Sequence, residues 1–140
     1  MYTFLDEKNL CGKDEKKFFY LEGLIMTNFL KKKCVPCEKG TPPVVGKDLE
    51  MMFEELGGGW KLVNDHHLEK EFPFKDFAEA LTFTNQVGAL AEKEGHHPDI
   101  HLTWGKVRLI IWTHKINGLS ENDFILAAKC DEIMLQKQSA

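Results

Sequence analysis
The sequence predicts an α+β domain, a four-stranded antiparallel sheet with three helices on one face in the order α-β-β-α-β-β-α. Two periodicities carry that expectation. Three stretches space their apolar residues as one face of a helix, and between them lie two pairs of short strand-like stretches, each pair joined by turn-forming residues. At 140 residues the chain is most simply one domain, long enough to bury a core without staples.

The elements follow in order. Residues 1–33 are polar, lysine-rich and weakly patterned, and they read as an extension; Met26 offers an internal start. The packed domain is expected over residues 34–140. Leu49, Met52, Phe53 and Leu56 follow the i, i+3, i+4, i+7 rule, and Gly57 supplies a left-handed cap. Residues 60–63 make a short strand, Asn64-Asp65 a tight turn, and residues 66–72 a second strand with Leu68 and Phe72 on one face. Asp76 with Glu79 forms a capping box that opens a long helix, its buried stripe running through Phe77, Ala80, Leu81, Thr84, Val87 and Leu90 or Ala91 to a stop at Gly95. After Pro98 the period becomes two. Ile100, Leu102 and Trp104 alternate with His101 and Thr103, Gly105-Lys106 turns the chain, and Val107, Leu109, Ile111 and Thr113 share one face of the return strand. Ser120 and Asp123 cap a last helix whose Phe124, Ala127, Ala128 and Met134 face inward.

Composition removes several classes of function. With 43% hydrophobic and 29% charged residues the chain is ordinary globular material. A net charge of -4 argues against nucleic acid as a direct partner, since binding phosphates needs clustered Lys and Arg. No apolar run approaches the roughly 20 residues of a membrane helix, and the first residues lack a basic signal region. The chain is therefore expected to be cytoplasmic, with no membrane partner. Of Cys11, Cys34, Cys37 and Cys130, only Cys34 and Cys37 have metal or redox spacing. No second CxxC or HxxxH completes a zinc site, so neither a metal nor a disulfide framework is expected.

Chemistry is concentrated in GHHPDIH, residues 95–101. His96 and His97 follow a helix end, and Pro98 biases the residue before it towards extended backbone, which makes the pair rigid. A hairpin turning at Gly105-Lys106 pairs 104 with 107 and so sets His97 opposite His114. Imidazoles titrate near neutrality and suit delivery and removal of protons on one substrate. NDHHL, residues 64–68, is the internal control: its His66-His67 pair has no proline and no evident partner, and it is left outside the site together with His101.

These residues resemble the pterin-4a-carbinolamine dehydratases. The resemblance runs from Cys34 to about Ile133 through CVPCEKGTPP, Trp60, FPFKDFAEAL, AEKEGHHPDI, Lys106-Val107, Thr113-His114 and GLSENDFILAAK, and does not cover residues 1–33. The CxPC leader is similar to bacterial and plant members. The resemblance implies dehydration of 4a-hydroxytetrahydropterin, the product left by aromatic amino acid hydroxylases, to quinonoid dihydropterin, with no metal and no cofactor. It makes His96, His97 and His114 the catalytic histidines, with His97 and His114 foremost as acid and base and His96 orienting the pterin. Glu92, Pro98, Thr113 and Asp123 match pocket positions, and Trp60 matches a residue near the site, although core packing explains Trp60 equally well. Trp104 stands where the family often has tyrosine. Trp112 stands where smaller residues are common, and it is expected to shape a rim.

The resemblance also implies association as homodimers or homotetramers. Two other functions compete: a dimerisation cofactor for a transcription factor, as in animal relatives that lack the CxPC leader, and a related dehydration in molybdopterin metabolism.

Overall fold
The computed structural model describes residues 28–139. Among them lie three helices, α1 (Gly46–Leu56), α2 (Phe77–Glu94) and α3 (Glu121–Ser139), and four strands, β1 (Lys61–Val63), β2 (His67–Pro73), β3 (Asp99–Thr103) and β4 (Lys106–Ile111). Two 3-10 turns, Asn28–Lys31 and His114–Ile116, complete the order. The sheet runs β1-β2-β4-β3 with every neighbouring pair antiparallel, so the two hairpins meet through their return strands at the centre.

One face of the sheet is dry. Leu68 and Phe72 of β2 and Val107, Leu109 and Ile111 of β4 are each no more than 2% exposed, and they alternate with Glu69, Glu71, Arg108 and Ile110 on the open face. The helices cover the dry face, contributing Leu49 and Leu56 from α1, Phe83 and Val87 from α2, and Phe124 and Leu126 from α3. Burying each large side chain contributes roughly 1.5–3 kcal/mol. Phe29 belongs to the same cluster, its ring 5.8 Å from that of Phe124. Residues 28–33, assigned by sequence to the extension, therefore pack on the domain; the remainder of that stretch, with Met26 and Cys11, lies outside the described residues.

Local chemistry explains the boundaries. Asn64 and Asp65 sit at φ 50° and 54°, the two positive values a type I′ turn demands. Asp76 caps α2 by accepting the Glu79 N–H at 2.9 Å, and Gly95 ends it in the left-handed region. Gly57 ends α1, but at φ 57°, ψ -142°, outside the left-handed helical region that was expected. The inward stripe of α2 also differs. Ala80, Phe83, Val87 and Ala91 are buried, whereas Phe77 and Leu81 are 43% and 39% exposed. The helix is rotated so that Phe83, absent from the expected stripe, packs on Phe72 and Phe74.

The β3-β4 hairpin corrects a register. Thr103 pairs with Lys106, so the turn is Trp104-Gly105, one residue earlier than expected, and residue 97 projects opposite 112 instead of 114. Both registers leave the same side chains on the same faces, because they differ by two, and alternation cannot separate them. Gly105 sits where Phe74 donates its N–H to the Gly105 carbonyl, and a Cβ there would come 3.1 Å from the Phe74 oxygen. No helix of the described residues is long and apolar enough to cross a membrane.

Candidate active site
Three chain segments converge beside the end of α2. The N–H groups of Gly95 and His96 both donate to the Ala91 carbonyl, which fixes the chain direction into His96, His97 and Pro98. Opposite, Thr113 and Gly118 exchange backbone hydrogen bonds at 2.8 and 3.4 Å and close a short loop that carries His114 and Lys115. The third segment, Cys34 to Cys37, lies across both. Together they line a cleft of about 440 Å³ that includes His96, His97, Trp112, Thr113 and His114. That volume suits a small bicyclic ligand. His114 thus reaches the same cleft as the pair, placed by the loop after β4 and not by strand register.

The histidines are held differently. His96 Nε2 lies 2.6 Å from Oδ1 of Asp123, whose carboxylate is fully buried. The other oxygen of Asp123 accepts the Thr113 hydroxyl at 2.7 Å and the Ser120 N–H at 2.8 Å. With its other oxygen taken by two donors, the Asp123 carboxylate is placed to accept from His96, which sets the His96 tautomer with the proton on Nε2. His97 Nε2 meets Glu92 at 2.6 Å, but both side chains are mostly solvent-exposed, at 59% and 80%, and such a pair contributes little. No hydrogen bond holds the His114 ring among the described residues; it packs on Trp112, ring centroids 4.0 Å apart.

The remaining wall is built by polar groups beneath it. Glu94 accepts the Cys34 N–H at 2.9 Å and the Lys129 ammonium at 2.6 Å. Burial works to raise the Glu94 pKa, but these donors outweigh it and hold the carboxyl below the usual range. Asn122 grips the same segment, taking the Val35 N–H at 3.0 Å and donating to the Val35 carbonyl at 2.6 Å and to Cys37 Sγ at 3.6 Å. Burial, with the nearby Glu94 charge, pushes the Cys34 thiol up to about 12, so it stays protonated. Among the described residues no three His, Cys, Asp or Glu side chains converge as metal ligands.

Comparison with known proteins gives this arrangement a family. A family model described as pterin 4 alpha carbinolamine dehydratase matches residues 42–133. The chain belongs to that family. It is 56% identical over 107 residues, 76% of this chain and 96% of the relative, to an Alkaliphilus metalliredigens protein named "Putative pterin-4-alpha-carbinolamine dehydratase". A Rubrobacter xylanophilus protein of the same name is 48% identical over 108 residues, 77% of this chain and all of the relative. Among solved structures, a "transcriptional coactivator/pterin dehydratase" from Brucella melitensis superposes with a TM-score of 0.61 at 30% identity, covering 65% of this chain and 97% of that one.

In this dehydratase-family chain the structure gathers His96, His97, His114 and Thr113 at the cleft, with Asp123 directly behind and Glu92 beside His97. Pro98 makes no polar side-chain contact and acts on the backbone. Trp60 is not brought to the cleft. It is 5% exposed, packs edge-on against Phe72 and donates its indole N–H to Asp131 at 2.9 Å, which is the core role weighed against a site role. His101 pairs with Arg108 on the open sheet face. Glu94, Asn122 and Lys115 escaped sequence reasoning, as did any place for Cys34 and Cys37 in the cleft. The available signal was Glu94 on the inward phase of α2, where a carboxylate requires a partner.

Proposed function
We propose that this protein removes water from a 4a-hydroxytetrahydropterin to give quinonoid dihydropterin, so recycling the pterin used by aromatic amino acid hydroxylases. The observation that carries this reading is the His96–Asp123 pair, a half-buried imidazole with its tautomer fixed, on one cleft with His97 and His114. In the reaction the C4a–O bond breaks, the hydroxyl leaves as water with one added proton, N5 loses its proton, and a C4a=N5 double bond forms. With Nε2–H donated to Asp123, Nδ1 of His96 carries a lone pair and is suited to take the N5 proton. His114, with no carboxylate partner among the described residues, exchanges protons with solvent and delivers one to the leaving oxygen. This gives His96 the acid/base role that sequence had offered to His97, and makes His97, exposed at the mouth, a group that orients the pterin.

The test is the decay of 4a-hydroxytetrahydropterin followed by absorbance, with chelator-treated protein. Acceleration is expected without added metal, and His96→Ala or His114→Ala is expected to lower kcat by about 10²-fold or more. His101→Ala leaves the rate unchanged. An inert chelated protein revived by zinc, or four equally active proteins, defeats the proposal.

A further inference from the structure
Each histidine at the cleft has a partner, but the partners are of two kinds. His96 and His97 are held by carboxylates at 2.6 Å. His114 is exposed, and among the described residues its ring packs on the Trp112 indole, 4.0 Å between centroids and 30° from parallel, with no hydrogen bond. Trp112 is in turn in ring contact with His66 at 4.5 Å. His66 is not loose: its Nε2 lies 3.1 Å from Asn117 Oδ1 and its Nδ1 3.0 Å from Nδ1 of His67. Asn117, at φ 50°, closes the same short loop that carries His114. A row of rings thus runs from the β1-β2 hairpin into the cleft, tied at its outer end to the loop it supports at its inner end.

We propose that Trp112 is a positioning residue for His114, and that His66 holds Trp112 in place through its hydrogen bond to Asn117. The inference rests on the dehydratase reading for its consequence in catalysis and on the ring contacts for its geometry. Stacking suits this imidazole in a way that a carboxylate does not. It fixes the plane of the ring while leaving both nitrogens unbonded, as a group must be that takes a proton from solvent on one side and gives it to substrate on the other. The half-buried His66, which sequence set aside with the control pair, becomes part of the support of the site.

The experiment combines a kinetic cycle with an activity-independent readout on the full chain. In NMR spectra of protein labelled at histidine, the His114 ring protons, assigned by their loss in His114→Ala, are expected upfield of free histidine because of the indole ring current. They return to the free value in Trp112→Leu and stay partly shifted in Trp112→Phe. Trp112→Leu lowers kcat about tenfold with KM little changed, Trp112→Phe restores most of it, and His66→Ala gives a smaller loss of the same kind. In a His114→Ala background Trp112→Leu has no further effect. Free-histidine shifts in the unmodified protein, or a full additional loss on top of His114→Ala, overturn the proposal. An upfield signal in a protein that dehydrates nothing defeats the dehydratase reading and leaves the positioning intact.

Discussion
His66 and His67 follow a hairpin turn and meet each other, Nδ1 to Nδ1 at 3.0 Å with their rings at 85°, whereas His96 and His97 follow a helix end and each meets a carboxylate. In the first pair one Nδ1 must donate and the other accept, and the second nitrogen of His66 is also engaged, by Asn117 at 3.1 Å. In the second pair the acids take the Nε2 protons and leave the other nitrogens for a substrate. The dipeptide is identical, and the difference lies entirely in what the fold places beside it. In the proposed site the acid that holds His96 comes from another element, Asp123 of α3.

The sharpest way to break this contrast is to neutralise that acid. Asp123→Asn is expected to lower kcat by tenfold to about 10²-fold, because with its oxygen on the Ser120 N–H the amide turns its NH2 to His96 Nε2 and forces the imidazole proton onto Nδ1, and to cost about 1–3 kcal/mol in chemical denaturation through the lost charge-assisted hydrogen bonds. A neutral result in the rate would place the chemistry elsewhere. Next come the acids that flank each pair. Glu94 lies beneath the cleft wall, 3% exposed, and Glu69 lies near His67, where the Arg108 hydrogen bond holds its pKa down. Both are depressed in the folded state, so the stability they give is complete above the ordinary value of about 4.3 and is lost as pH falls through the folded values. Denaturation at about pH 6 and pH 3 is expected to show a flatter pH dependence in Glu94→Gln than in Glu69→Gln, since two hydrogen bonds, from the Cys34 N–H and the Lys129 ammonium, hold the Glu94 carboxylate against one from Arg108 at Glu69. Equal slopes would mean that the cleft wall is no better organised than the open sheet face. The smallest effect belongs to Glu92→Gln, less than about twofold in kcat, because its partnership with His97 is in solvent.

Much of this was legible in the chain. The element order, the Asp76 cap, the Asn64-Asp65 turn and the alternation of β4 are local rules acting where no tertiary contact opposes them. The phase of α2 was not, since Phe77 and Phe83 are equally apolar and only the neighbours Phe72 and Phe74 decide which turns inward. The hairpin register was hidden because both choices obey the same alternation. Histidine identities at the cleft were readable from GHHPDIH and Thr113-His114; the grip of Glu94 and Asn122 on residues 34–37 was not, because it joins positions 60 and 85 to 87 apart through single side chains. Trp60 shows the converse, an indole whose N–H is used by Asp131 in the interior, which no local rule distinguishes from one that faces a ligand.

Asp123 has a consequence for how this protein ages and fails. One of its oxygens closes the first turn of α3 and the other steadies His96, so fraying of that single turn releases both at once. Heat is therefore expected to silence the enzyme before it melts the sheet, and amide exchange at Ser120 should keep pace with inactivation. Any effort to make the protein hardier by rebuilding that helix start would also alter the support of the proposed site.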